Sequence, residues 1–338
     1  MSIKQNHFVA VDSTLDRMSR QRRSWLAAAS LMPLLWSAGG CTPAKPLVLA
    51  GHPWPGYEPM FLARTLGYLP DGITLLEAPT VHASIESLKQ GRADGAMLTM
   101  DEILQLRARG TPLEIILVFD VSKGADVLLA RPGINSLGAL RDKHIGAEDS
   151  ALGTLMLTMV LEKAELKLND VRIKRISFEE HEAAWERGEV DAMVTYEPVA
   201  GRLRAKGARQ LLSTRELPDT IFDVLAVKPE VAKAHASTLR ATLAGHFKAL
   251  AYMRQNPWDA AYRVAPRLGI SAEEMIASLR GLELPDLVGN QRYLSQSDGQ
   301  LLRIAEKLSP IMLQAKLITE PVDTRGLYSD RYLPGNQT

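Results

Sequence analysis

The sequence predicts an α/β protein, and three observations carry that prediction. Short apolar runs alternate with helix-patterned segments from Pro46 to about Lys228, the arrangement expected of mostly parallel sheets covered by helices. The 338 residues, 46% hydrophobic and 23% charged, suffice for two domains with their own cores. The charge is balanced, 40 Lys+Arg against 39 Asp+Glu, which argues against disorder and against a basic nucleic-acid binder. The single cysteine excludes an intrachain disulfide framework and a cysteine-based zinc site. Beyond the first 40 positions no apolar run is long enough to span a bilayer.

The first 40 residues read as an address. Lys4, Arg17, Arg20, Arg22 and Arg23 precede the short apolar segment Trp25–Trp36, followed by small residues running into Cys41. That order is a secretory signal. Arg22-Arg23-Ser24-Trp25-Leu26 resembles a twin-arginine export signal. Ala38-Gly39-Gly40-Cys41 resembles a lipobox, with Ala where Leu is usual and Cys41 as the lipidated residue. An ordinary small residue in a linker is the other reading of Cys41. Without residues 1–40, 35 Lys+Arg face 37 Asp+Glu, so the basic excess belongs to the signal.

Ten strands follow: Leu47–Ala50, Thr74–Ala78, Ala96–Thr99, Glu114–Phe119, Val127–Ala130, His144–Ala147, Arg172–Ile176, Ala192–Thr195, Gln210–Leu212 and Val224–Val227. Helices such as Glu58–Leu66, Ser84–Gln90 and Thr154–Ala164 lie between them. From Glu230 the pattern is helical alone, with Leu239, Leu243, Phe247 and Leu250 at helical spacing. Gly91-Arg-Ala-Asp94-Gly-Ala-Met97-Leu-Thr99 is echoed by Gly188-Glu-Val-Asp191-Ala-Met193-Val-Thr195. Each copy reads as a helix ending at Gly, a turn carrying Asp, and a buried strand. Two lobes of similar plan or chance similarity would each produce it.

The segment Gly51-His-Pro-Trp54-Pro-Gly-Tyr57-Glu58-Pro-Met-Phe-Leu-Ala-Arg64 resembles the first strand-to-helix turn of bacterial solute-binding proteins of ABC importers. The group in question is the one serving nitrate, sulfonates, taurine and thiamine precursors. Gly91–Thr99, Asp120–Asp126, Ser136–Gly146, Val190–Pro198 and Asp219–Leu225 resemble the same family, in the same order, over about residues 46–285. The resemblance implies the two-lobed periplasmic-binding-protein fold (type II), with a ligand cleft between lobes and a helical C-terminal segment. Lobe one would be 46–127 plus 224–338, and lobe two 128–223. The crossing strands would be Val127–Arg131 and Asp223–Val227. Hinged closure around a small solute, recognised by a membrane permease, is the implied mechanism.

In open α/β sheets ligands sit at the carboxyl ends of strands beside helix N-termini. Those positions hold Trp54, Gly56, Tyr57, Glu58, His82, Ser84, Thr99, Asp101, Asp120, Glu148, Ser150, Tyr196 and Glu197, with Asp126 and Asp223 close by. Trp54 and Tyr57 offer flat apolar faces in a Pro/Gly-rich turn, as pocket walls or as core. Ser150 would open a helix, either offering backbone N–H groups to a polar ligand or acting as an ordinary cap. Glu58, Asp120, Asp126, Glu148, Glu197 and Asp223 make the cleft acidic. Asp101 stands apart as a helix-start carboxylate, and Lys123 is the nearest cation. Such a cleft favours a cationic or amine-bearing solute caged by Trp54, Tyr57 and Tyr196. A sulfonate, taurine-like or nitrate-like anion would instead ask for cationic or many neutral donors.

Enzymatic signatures are missing: no phosphate loop, no nucleophile elbow and no His-Glu-x-x-His pair. Glu179-Glu180-His181-Glu182 reads as a solvated helix face rather than a metal cluster, since consecutive helical residues diverge. The relatives that build the thiamine pyrimidine carry a cysteine-rich motif absent here. The expectation is therefore a non-enzymatic receptor without cofactor, metal or nucleic acid. It would be monomeric, periplasmic or at the cell surface, touching the membrane only through the anchor at Cys41. A ligand sensor signalling to a separate partner is the alternative of another class.

Overall fold

The computed structural model describes residues 45–297 and 299–335. The signal and Cys41 lie outside the described residues. All ten expected strands form, and the longer apolar runs are buried on both faces, as for Glu114–Ser122, whereas the edge strand Arg172–Arg175 is not. The first sheet is built from β1 (Leu47–Gly51), β2 (Ile73–Glu77), β3 (Gly95–Thr99), β4 (Glu114–Ser122), β10 (Phe222–Val227) and a short β11 (Leu282–Glu283), in the order β11-β4-β10-β3-β1-β2. The second holds β5 (Asp126–Ala130), β6 (His144–Ala147), β7 (Arg172–Arg175), β8 (Ala192–Tyr196) and β9 (Arg209–Ser213), in the order β7-β6-β8-β5-β9.

Neither sheet is mostly parallel. β1 runs parallel to β2 and β3, and β6 parallel to β7 and β8. β10 is antiparallel between β3 and β4, and β5 antiparallel between β8 and β9. The reason is connectivity. Parallel neighbours need a long, usually helical crossover, whereas β5 and β10 are reached from the other sheet through the segments 123–125 and 214–221. These segments carry the chain between sheets; β5 and β10 each lie within one. The crossings are tied together, Ser122 Oγ lying 2.8 Å from Thr214 Oγ1 and the Gly124 N–H donating to Thr214 Oγ1 at 2.7 Å.

The internal echo is a shared device. Asp94 Oδ2 accepts from Val48 N–H at 2.9 Å while the Asp94 N–H donates to Val48 O. Asp191 repeats both bonds with His144, its Oδ2 at 2.8 Å. Each aspartate thus registers one sheet's third parallel strand on its first. Gly91 and Gly188 precede them with φ of 69° and 72°, a left-handed turn that favours glycine.

The helices on the first sheet are α1 (Glu58–Thr65), α2 (Val81–Lys89) and α3 (Met100–Ala108); those on the second are α4 (Ala151–Lys163), α5 (His181–Glu186) and α6 (Val199–Ala205). The tail adds α7 (Pro229–Ala234), α8 (Ala236–Gln255), α9 (Pro257–Leu268), α10 (Ala272–Leu279), α11 (Leu287–Tyr293) and α12 (Gln300–Gln314). Small buried residues let α9 approach α1 and α8 closely: Ala260, Ala261 and Ala265 meet Ala63, Ala249 and Met253. The tail also closes the exposed edge of β4. Asn290 accepts from Val118 N–H at 2.7 Å and donates to Val118 O at 3.0 Å, while Leu327 and Ser329 take the backbone groups of Ile115. A covered edge offers no unpaired ladder to another chain.

Candidate functional site

A narrow cleft opens where the carboxyl ends of the two sheets face each other. One side is lined by His52, Pro53 and Trp54 after β1, by Val81, by Thr99 and Glu102 at the start of α3, and by Ile221 and Asp223 at β10. The other side is lined by Asp126, Glu148, Leu152 and Tyr196. The enclosed space is about 20 Å³, room for about one water. Trp54 and Tyr196 meet across it edge to face, ring centroids 5.4 Å apart, and Phe178 stacks on Tyr196 at 4.0 Å.

The turn that carries Trp54 is seated on acids. Trp54 Nε1 donates to Asp120 Oδ2 at 3.0 Å and Tyr57 Oη donates to Asp223 Oδ1 at 2.5 Å. Asp120 and Asp223 are register partners on β4 and β10. Gly56 makes this seating possible, because a Cβ there would stand 1.7 Å from Asp120 Oδ2. From behind, Arg267 of α9 donates to Gly51 O and His52 O, both at 3.2 Å, pairs with Glu58, and lies 3.4 Å over the Phe61 ring. The ion pair and the two carbonyl bonds hold the turn against α9.

Carboxyl groups dominate the electrostatics. Glu102, Asp126, Glu148 and Asp223 line the cleft, with Asp101 and Asp120 buried behind it. Burial, reinforced by neighbouring carboxylates, pushes Asp120 up to about 8 and both Asp126 and Glu148 up to about 7. Burial alone raises Asp101 to about 6. Burial, then repulsion from Asp101 and Glu148 in one case and from Asp120 and Asp126 in the other, holds Glu102 and Asp223 well above the usual carboxyl range. Among the described residues no Lys or Arg lines the cleft; Lys123, the nearest cation expected, pairs with Glu283 at 2.6 Å. His52 is pushed down to about 3 by burial and by Arg267, so it adds no positive charge at neutral pH. Three carboxyls are fixed through one oxygen: Glu102 accepts from Thr99 N–H at 3.0 Å, Glu148 from Ser150 Oγ at 2.8 Å, and Asp223 from Tyr57. Asp126 Oδ2 is buried without a hydrogen-bond partner.

Trp54, Thr99, Asp126, Glu148, Tyr196 and Asp223, expected at the site, do line it. Four more stand one step behind: Gly56, Tyr57 and Asp120 seat the turn, and Ser150 caps α4 at Gly153 N–H while holding Glu148. Ser84 is buried with its hydroxyl 3.5 Å from His52 Nδ1. Three expected residues point elsewhere. Glu58 turns away to Arg267, since a fully buried carboxylate needs a cation more than a cleft. Glu197 pairs with Arg204 and caps Gly201 N–H at 2.9 Å. His82 lies exposed on the first turn of α2. Val81 and Leu152 come from strand-end segments expected at the cleft, Thr80–Ser84 and Glu148–Gly153, whereas Glu102, Pro53 and Ile221 enter the lining unannounced. Of these three, only Glu102 carried a signal, as the last member of the Thr99–Glu102 capping box, and that signal reads as helix structure.

The Glu179–Glu182 run disperses. His181 is buried with Nδ1 3.0 Å from Thr195 Oγ1, and Glu182 pairs with Arg202 and Lys206 at 2.6 Å each. Among the described residues, no group of three His, Cys, Asp or Glu is placed to hold a metal ion, and no helix is long and apolar enough to cross a membrane.

Residues 54–260 match the family described as "NMT1/THI5 like". The chain belongs to that family. Among curated proteins, a putative binding protein of Brucella abortus is 26% identical over 120 residues, 32% of this chain and 38% of the relative. The chain thus spans well under half the length of the curated relatives it matches. Solved structures share the fold. The periplasmic aliphatic sulphonate binding protein SsuA from Escherichia coli has a TM-score of 0.71 at 19% identity, covering 85% of this chain and 98% of that one. The ligand-binding component of an ABC-type import system from Staphylococcus aureus, with zinc bound, has a TM-score of 0.68 at 15% identity, covering 85% and 97%. The desulfurization enzyme DSZB has a TM-score of 0.61 at 19% identity, covering 85% and 97%. The two-sheet α/β architecture is therefore a periplasmic-binding-protein fold.

Proposed function

We propose that this member of the family is the extracytoplasmic solute receptor of an ABC importer, and that its solute is small, polar and cationic or amine-bearing. The observation that carries the solute class is the lining: four carboxyls, among them Asp126 with a buried oxygen lacking a partner, and no Lys or Arg. A cation entering there draws the protons from these raised carboxyls and gains charge-assisted bonds. A sulfonate would meet no guanidinium and would depend on the protonated carboxyls as neutral donors. The names of the binding-protein relatives support the receptor reading. The sulphonate named for the Escherichia coli neighbour favours the alternative solute, an aliphatic sulfonate, taurine-like or nitrate-like anion.

On this reading residues 46–127 with 224–338 form one lobe and 128–223 the other. They close about the tied crossings beside Ser122 and Thr214, and a permease recognises the closed form. Residues 1–40 direct export, and Cys41 anchors the monomer to the membrane through lipid. The receptor reading is non-enzymatic; the chain's only thiol is that of Cys41, which lies outside the described residues.

A thermal shift against two panels, small amines and amidines on one side and small sulfonates with nitrate on the other, tests the solute class. A solute at about 100 times its Kd adds ~2.7 kcal/mol, a rise of several degrees. Stabilisation by the cationic panel alone is expected. Stabilisation by anions alone overturns the cation and leaves the receptor; no response from either panel tells against the receptor.

A further inference from the structure

We infer that the acidic cavity is the inner half of a longer site, and that the solute carries an apolar body on its cationic head. This rests on the reading of the inner cavity as a cation site. Outside the Trp54–Tyr196 contact lies a second space of about 260 Å³. Pro53, Pro55, Phe178, Pro198, Leu268 and Ile270 form its apolar walls. Pro53 lines both spaces. Tyr196 faces the acids, and its ring is stacked by Phe178 of the outer wall, the planes within 7°. The two spaces share a partition at Pro53 and at the stacked Tyr196–Phe178 pair, with Trp54 in edge contact with Tyr196.

The change in chemistry across that partition is abrupt. Inside stand four carboxyls. Outside, the charged groups are Arg202 and Glu274, which lie 3.5 Å from each other and so cancel. An ammonium or amidinium head fits the first environment, and an alkyl or aryl body fits the second. Size points the same way. The inner space has room for about one water, enough for an ammonium head and too little for an alkyl body. The outer walls also come from both sheets' segments, Pro53, Pro55, Leu268 and Ile270 from the turn after β1 and the α9–α10 connection, Phe178 from the turn after β7 and Pro198 from the turn after β8. An apolar body seated between them buries surface on both and favours the closed cleft.

The test is calorimetric titration of the protein with n-alkylammonium chlorides from ethyl to octyl, with n-alkylsulfonates of the same lengths alongside. The expected result is affinity rising about fourfold per methylene, until the outer space is filled. Ile270→Ala, and separately Leu268→Ala, should flatten that slope, the longer amines losing more than the shorter. Loss of packing stability alone would weaken all lengths alike and leave the slope unchanged. Amines that bind with no dependence on length overturn the apolar half and spare the cation reading. A length dependence confined to sulfonates overturns the cationic head and, with it, the solute class proposed above.

Discussion

The turn between β1 and α1 touches buried acids on both of its sides, and the protein treats them differently. Glu58, fully buried, is met by the guanidinium of Arg267. Asp120 and Asp223, equally buried, are met by the neutral donors of Trp54 and Tyr57 and by each other, with no cation. A cation is supplied where the acid is structural and withheld where the acid borders the cleft. The charge deficit of the cleft is therefore local, and a balance of charges over the whole chain could not have revealed it.

The largest expected effect breaks the matched side. Arg267→Ala strands Glu58 in the core and should lower stability by ~3–5 kcal/mol in denaturant titrations. Arg267→Met combined with Glu58→Gln should recover most of it, because the pair is then removed rather than broken. A loss below ~1 kcal/mol from Arg267→Ala would erase the contrast between the two sides.

The unmatched side should announce itself in pH dependence. Its carboxyls titrate higher in the folded protein than in the unfolded chain, for example about 7 for Asp126 and Glu148 and about 8 for Asp120. Burial lifts Glu58 to about 8 as well, outweighing Arg267, so substitutions at the cleft carry the contrast and the slope alone does not. Below the unfolded values both states hold the protons and stability is at its fullest. As pH rises from the ordinary carboxyl range toward 8, the unfolded chain releases protons that the fold retains. Stability then falls by ~1.4 kcal/mol per pH unit for each such group. Glu148→Gln and Asp126→Asn should each flatten that slope. A stability that rises from pH 5 to 8 would mean these carboxyls titrate below their ordinary range in the fold.

Next in size is ligand capture. Glu148→Gln removes one charge-assisted partner and should weaken binding of a small amine by ~1.5–3 kcal/mol, or about 10- to 150-fold, while raising stability at pH 8. Opposite movements of affinity and stability distinguish a site residue from a packing residue. The smallest effect is a control on the surface: Arg263→Ala breaks an exposed pair with Asp259 and should change stability by no more than ~0.5 kcal/mol.

Much of the fold was legible because fully buried strands leave unbroken apolar runs, as in Ile115–Val118, and because Gly and Asp mark the turns before β3 and β8. Strand direction was not legible. Reversal of β5 and β10 follows from short passages between sheets, which resemble any other turn in sequence. At the site, residues such as Trp54, Asp126 and Glu148 were found because strand ends converge on one edge. Glu58 was misplaced because its partner lies 209 positions away on a helix with no chemistry of its own. Glu197 could have been read better, since Arg204 follows it by two helical turns. Glu102 was passed over because a carboxylate in a helix's first turn already has a sufficient explanation.

The short crossings have a further consequence. Phe222 re-enters the first sheet in register with Val121, one residue from where the chain departed at Ser122. Topologically the stretch 123–221 is a cassette inserted between two strands that are neighbours without it. Joining Ser122 to Phe222 with a brief turn would leave β4 and β10 as a hairpin and every other pairing of that sheet in place. The excised cassette, with its own five strands, could be carried as a unit into another host of the same plan.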